Sequence, residues 1–198
     1  MIEAPTPDAA ELPDFACVVA IDAARGIGKG GDLPWPPLKG DLQHFARLTT
    51  QASPGHVNTV IMGRKTWASL PAKYKPLPRR HNLVISRQPQ ALPPGASAAT
   101  SLTDALAQAA ALPACEHIFV IGGGQIYAEA LAHPRCHYIY LTEIEATYDC
   151  DTTLSELTGF VLDPTWPPQE HHENGVNFRI SRLRRARPAG PTTSTTRG

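Results

Sequence analysis

The chain has 198 residues, 18 Lys and Arg against 18 Asp and Glu, and 42% apolar residues. A single domain of this length buries about 70% of its unfolded surface, and zero formal charge argues against a general nucleic-acid or acidic-membrane binder. Residues 1–14 are acidic and Pro-rich, with neither a basic n-region nor an apolar h-region, which predicts a cytoplasmic chain opening on a flexible lead-in over 1–13. Phe15–Ile21 reads as a buried strand and is too short to span a bilayer. Further strands are expected at 59–62, 82–86, 116–121, 138–144 and 178–184, the last with Phe178 and Ile180 on one face. Helical spacing marks 38–49, Arg64–Ser69, Leu102–Ala111 and 125–131, with Thr103 and Asp104 as the cap of the third. Residues 88–100 read as a loop, and 186–198 as a disordered tail. Strands alternating with helices predict an α/β fold: one mixed, mainly parallel central sheet, flanked by helices on both faces. Late strands without intervening helices predict an antiparallel C-terminal end. One domain is expected over 14–185.

Cys17, Cys115, Cys136 and Cys150 form no C-x-x-C pair, and His171 and His172 face opposite ways on a strand. The expectation is free thiols, no disulfide framework and no metal site.

Six segments carry chemistry. The run Gly26, Ile27, Gly28, Lys29, Gly30, Gly31, Asp32 looks like a phosphate loop, but Gly30 stands where a Walker A motif needs Ser or Thr. It is either a glycine-rich surface loop or a mobile one, with Leu33, Pro34 and Trp35 as an apolar tip that closes over a ligand. Leu38, Asp41, Leu42 and Phe45 fall at i, i+3, i+4 and i+7 and share a helix face. Asp41 is then either a carboxylate facing an apolar cleft, suited to the amidine-like edge of a heterocycle, or a first-turn residue favouring the helix dipole. Gly63 leads a strand into a helix at Arg64, Lys65 and Thr66, either a phosphate site or an ordinary basic helix start. Ser86 and Arg87 stand at another strand end, where an extra phosphate such as that of NADPH could be gripped. Ile121, Gly122, Gly123, Gly124, Gln125, Ile126 and Tyr127 form a strand–glycine–helix unit, but Tyr127 occupies the place of the last glycine of a Rossmann fingerprint. Arg79 and Arg80 are either solvated charge or a bidentate carboxylate site. Arg182, Arg184, Arg185 and Arg187 read as a solvated strand end rather than a nucleic-acid site.

Taken in order, these segments resemble the dihydrofolate reductase family over nearly the whole of 15–183. The Gly-Asp-Leu-Pro-Trp-Pro-Pro-Leu run resembles animal members, and Asp41, where those carry Glu, resembles bacterial ones. The resemblance implies NADPH-dependent reduction of 7,8-dihydrofolate, with hydride arriving at pterin C6 and a proton at N5. It implies that Asp41 binds the pterin amino edge and promotes the protonation, supported by Thr142. Leu33 and Trp35 would belong to the closing loop, and Val18, Ala20, Leu42, Phe45 and Ile121 to the pocket walls. Arg80 would clamp the substrate's α-carboxylate. Arg64, Lys65, Thr66, Ser86 and Arg87 would hold cofactor phosphates, with the Gly26–Asp32 and Gly122–Tyr127 runs closing around the dinucleotide. The Gly122–Gly123 peptide would be cis, antifolate inhibitors would bind, and the chain would act as a monomer. Tyr74 departs from the polar residue of animal members. Two other functions share this frame. A riboflavin-pathway reductase needs neither Asp41 in an apolar stripe nor an arginine for a glutamate tail. A binding protein without turnover would bind its ligands without oxidising NADPH.

Overall fold

The computed structural model describes residues 11–88 and 91–186; most of the expected lead-in and tail lies outside them. A nine-stranded sheet forms the centre of the molecule. Its parallel part comprises β1 (Phe15–Ile21), β3 (Val57–Gly63), β4 (Arg80–Ile85), β5 (Ala96–Ala99), β6 (Cys115–Val120) and β7 (Cys136–Ile144). Its antiparallel end comprises β9 (Phe160–Leu162), β10 (Gln169–Glu173) and β11 (Val176–Arg185). The spatial order is β10-β11-β7-β1-β6-β3-β4-β5, with β9 beside β11. Two short strands, β2 (Gly26–Gly28) and β8 (Thr152–Thr153), pair apart from this sheet. The helices are α1 (Lys39–Thr50), α2 (Arg64–Ser69), α3 (Leu102–Ala111) and α4 (Gly124–Ala132).

Period-two side-chain alternation divides the core between the sheet's two faces. Cys17, Val19, Ile21 and Ile61 join the cluster under α3 and α4, with Leu102, Leu106, Tyr127 and Leu131. Ala16, Val60 and Met62 join the other, with Trp67 of α2 and with Phe45 and Leu48 of α1 packed against it. Leu12 is 3% exposed in the first cluster, so packing begins ahead of β1, inside the span expected to be a loose lead-in.

The expected fold class stands, but two local expectations are corrected, and β10 is a strand that the sequence pattern did not mark. The loop expected over 88–100 contains β5. Its Ala-Ser-Ala-Ala sequence has no apolar alternation, and pairing with β4 makes it a strand. The third helix is capped by Ser101, whose Oγ accepts from Asp104 N at 3.0 Å, two residues ahead of the expected cap. The strand β10 is polar throughout and exists through its hairpin with β11, where Asn174 (φ 52°) and Gly175 (φ 73°) form a two-residue turn.

That hairpin places Glu173 over the start of α1. Its carboxylate accepts from Lys39 N at 2.6 Å and Gly40 N at 2.8 Å, satisfying two first-turn donors that Leu38 leaves open. A Cβ on Gly40 would lie 2.6 Å from Glu173 Oε1 and 3.3 Å from Phe178 Cζ, so the close approach requires glycine there.

Candidate active site

The parallel strands bring their carboxyl ends to one edge of the sheet, where ligands of open α/β folds bind. Asp41 sits in the first turn of α1 and Thr142 in β7, and Thr142 Oγ1 donates to Asp41 Oδ1 at 2.7 Å. Thr142 is buried. Burial pushes the Asp41 carboxyl above its ordinary range and the Glu173 charge adds to this, while the Thr142 hydrogen bond and the His171 ring act the other way. Both readings of Asp41 hold in part: it lies in the first helical turn, and it is desolvated. Among the described residues, Oδ2 takes no side-chain hydrogen bond and stays open as an acceptor.

The apolar residues expected to wall the pocket lie on β1 and α1 and just past β6. Val18 and Ala20 of β1 are half-buried between fully buried neighbours. Val18, Phe45 and Ile121 pack on the second cluster. Leu42 is 48% exposed and Leu33 is 52% exposed.

The segment after β1 is anchored more firmly than its glycines suggest. The buried Asp22 carboxylate accepts from Gly26 N at 2.6 Å, Tyr148 N at 2.8 Å and Ala24 N at 2.9 Å. Burial alone would raise its pKa, but these backbone donors outweigh it and hold the group below its ordinary value. Gly30 N donates to Asp151 Oδ2 at 2.7 Å, Asp151 N donates to Gly28 O at 3.0 Å, and Lys29 pairs with Asp149. Gly30 and Gly31 take positive φ, while a Cβ on Gly26 would run into the Cys150 thiol. Lys29 N and Asp32 O close a bridge at 2.9 Å. Ile27 packs inward against the first cluster. Trp35 corrects the expectation of an apolar tip. It is 5% exposed and packed with Leu38, Ile144, Phe178 and Ile180, because an indole this large gains more from burial than from solvent. Leu33 alone supplies the large exposed apolar surface.

Three strand ends supply the residues expected to hold phosphates. Gly63 N donates to Gly122 O at 2.8 Å, tying the ends of β3 and β6 together. The Gly122–Gly123 peptide is cis. A Cβ on Gly122 would lie 2.9 Å from Thr66 Oγ1, and one on Gly123 3.1 Å from it. Arg64, Lys65, Arg87 and Gln125 are exposed. Ser86 lies past β4, its Oγ bonded to Gln88 O at 2.9 Å. Ile126 faces the glycine turn, its Cγ1 3.1 Å from the Cβ position of Gly63, and Gly124 lies against Thr152. Tyr127 is not on the surface of that turn: it is buried, and its hydroxyl donates to Val18 O at 2.6 Å.

Arg80 stands at the start of β4, against the last turn of α1, whose first turn carries Asp41. Its Nη1 donates to Thr49 Oγ1 at 2.7 Å, its Nε to Pro78 O at 3.0 Å, and its guanidinium lies 5.8 Å from the Phe45 ring centre. Burial and the neighbouring Arg79 bring its pKa down to about 10. Asn82 fixes the turn before it through Leu77 N (3.0 Å), Leu77 O (3.0 Å) and Arg80 O (2.9 Å). Among the described residues no carboxylate pairs with this half-buried cation.

Sequence reasoning missed Glu173, Asp22, Thr49 and His171. His171 stacks on Phe178 at 4.9 Å, and its buried Nε2 has no partner among the described residues. The Asn174–Gly175 pair was the one local signal that would have found the hairpin presenting Glu173 and His171.

A family model described as dihydrofolate reductase matches residues 14–185. The chain is 38% identical over 178 residues to the dihydrofolate reductase of Aedes albopictus, covering 85% of this chain and 95% of that protein. It is 39% identical over 174 residues to that of Mus musculus, covering 83% and 93%. It is 42% identical over 146 residues to that of Sus scrofa, covering 71% and 78%.

Proposed function

The chain belongs to the dihydrofolate reductase family and reduces 7,8-dihydrofolate to 5,6,7,8-tetrahydrofolate, and from that premise we propose which of its residues do so and with which cofactor. The cofactor is NADPH. The glycine turn, where added Cβ atoms would fill the space against Thr66, suits close passage of a pyrophosphate at the start of α4. Arg64, Lys65 and Arg87 are cations with no carboxylate partner among the described residues, and Ser86 stands beside Arg87, which suits the extra phosphate that separates NADPH from NADH. When bound, the nicotinamide supplies the hydride that reduces C6 of the pterin.

The protein's own part is orientation, dryness and a proton. Asp41 accepts from the pterin 2-amino and N3 edge and promotes protonation at N5; the observation that carries this role is its desolvated carboxylate, held at one oxygen by Thr142. Antifolates with a similar amino edge would engage the same oxygens. Val18, Leu42 and Phe45 wall the pterin and benzoyl rings, and Ala20 and Ile121 the nicotinamide side. The Gly26–Trp35 loop, pinned through Asp22 and Asp151, excludes water with Leu33. Arg80 takes the α-carboxylate of the substrate's glutamate.

Replacing Thr142 with Val tests the role of Asp41. It removes a hydrogen bond that favours the ionised form, so the Asp41 pKa rises further. The fall in rate as pH increases then moves to higher pH, while the pH-independent kcat/KM on the low-pH plateau drops roughly tenfold because the carboxylate loses the bond that orients it. A pH–rate profile superimposable on that of the parent enzyme would remove Thr142 and Asp41 from this reading.

A further inference from the structure

An α-helix leaves its first N–H groups without partners, and a side chain at its N-terminus usually supplies them. In α1 the capping position holds Leu38, which is buried and has no side-chain oxygen to offer. Three residues on stands Asp41, the place from which an acidic residue reaches back in a capping box. Asp41 does not reach back. Among the described residues it accepts from the Thr142 hydroxyl, at 2.7 Å, and from no backbone N–H.

The missing cap comes from the hairpin of β10 and β11. Glu173 Oε2 and Oε1 take the Lys39 and Gly40 N–H groups, and Asn174 Nδ2 donates to Pro37 O at 2.9 Å. The hairpin therefore grips the segment that enters α1 as well as its first turn. Gly40 lets it come this close: a Cβ there would also lie 3.4 Å from His171 Nδ1. One helical turn thus meets two carboxylates, Glu173 from the hairpin and Asp41 toward β7. Each ionised carboxylate disfavours charge on the other, and the Glu173 charge adds to the effect of burial on Asp41. The other titratable groups that interact with Asp41 are the His171 ring on β10 and the Tyr127 hydroxyl of α4. Burial, with the Cys17 and Asp41 charges behind it, pushes that hydroxyl well above its ordinary range, so it stays neutral.

We infer that Glu173 is a positioning residue for the reduction: it caps α1 in place of Asp41, and so leaves the Asp41 carboxylate turned to Thr142 and open to the substrate. The inference rests on the reading that Asp41 binds the pterin edge and promotes its protonation. Without the Glu173 carboxylate, the open donors of the first turn draw Asp41 back, and the neighbouring negative charge is gone. Both changes favour the ionised form of Asp41. Asp41 then gives up its proton at lower pH and turns away from the substrate.

The test compares pH profiles of kcat/KM for dihydrofolate in the full-length enzyme and two variants. Glu173→Gln keeps the size of the side chain but offers one acceptor for two donors and no charge. Gly40→Ala keeps Glu173 and pushes its carboxylate off the turn, so it carries the test if the first variant fails to fold. In each, kcat/KM on the low-pH plateau should fall about three- to tenfold. The fall in rate with rising pH should also begin at lower pH. The ratio of parent to variant then grows by roughly a further three- to tenfold between pH 6 and pH 9. The substrate is common to all the enzymes, so its own titration cancels in that ratio. A lower plateau with an unmoved pH profile is what a merely structural cap gives, and it would overturn the inference. Thr142→Val reports on the underlying reading separately, because it moves the same limb to higher pH. A limb that moves there but in neither Glu173→Gln nor Gly40→Ala overturns the inference and leaves the role of Asp41 standing. A limb unmoved in Thr142→Val overturns that role, and the inference with it.

Discussion

Asp41→Asn is expected to lower turnover by about two to four orders of magnitude at neutral pH, the range that acid–base groups contribute. Asparagine keeps the size of the side chain and keeps an oxygen for the Thr142 hydroxyl, which now sits 2.7 Å from Oδ1. It loses the proton and the negative charge. Dihydrofolate binding weakens less than turnover, because the walls and Arg80 remain. The same variant is expected to gain stability. The folded-state pKa of Asp41 lies above the ordinary value of 3.8 because burial penalises its charge. A raised folded pKa means that the native state holds the proton more tightly than the unfolded state. The group therefore favours folding below the unfolded value, and that contribution disappears as pH rises through the raised folded value. At neutral pH the ionised carboxylate is buried at a cost, and Asn relieves it. Urea titrations at pH 3.5 and pH 7.5 check the sign: the advantage of Asn over Asp should be larger at the higher pH. Turnover near that of the parent enzyme would remove Asp41 from its catalytic role.

Arg80→Leu is expected to raise KM for dihydrofolate by roughly 10- to 100-fold, the equivalent of a charge-assisted bidentate contact of about 1.5–3 kcal/mol. The reasoning is local. Thr49 and Pro78 O occupy two donors of the guanidinium, and the Phe45 ring covers it, so the side chain is already ordered before any anion arrives. An ordered, partly dehydrated cation binds a carboxylate more strongly than a solvated one. Leucine also lifts a desolvation cost from the free protein, the cost that brings the Arg80 pKa down to about 10, so stability should hold or rise. NADPH binding, measured by fluorescence titration, should change little. Equal losses for both ligands would count against a carboxylate clamp.

Much of this arrangement was legible in the sequence because it depends on local periodicity. The i, i+3, i+4, i+7 spacing of Leu38, Asp41, Leu42 and Phe45 placed a carboxylate among apolar residues, and α1 carries it there. The alternation of Phe178 and Ile180 survives as two residues each 1% exposed. What escaped depends on distant pairing. Nothing near Glu173 announces that it will cap a helix 133 residues earlier. Nothing near Asp22 announces that Tyr148 will donate to it. Trp35 was misplaced for a related reason: a Gly- and Pro-rich neighbourhood predicts exposure, but burial is decided by Ile144, Phe178 and Ile180, which arrive from other strands. The β10 strand shows the opposite failure, since Asn174–Gly175 was a readable hairpin signal beside a strand too polar to be noticed.

The most direct measurement follows absorbance at the NADPH band after dihydrofolate is added to the full-length protein, in parallel with NADH and with methotrexate present. The account predicts a fast decrease with NADPH, a much slower one with NADH, and none when methotrexate is bound. A folded protein that consumes neither nucleotide, or that consumes NADH as readily as NADPH, would contradict it.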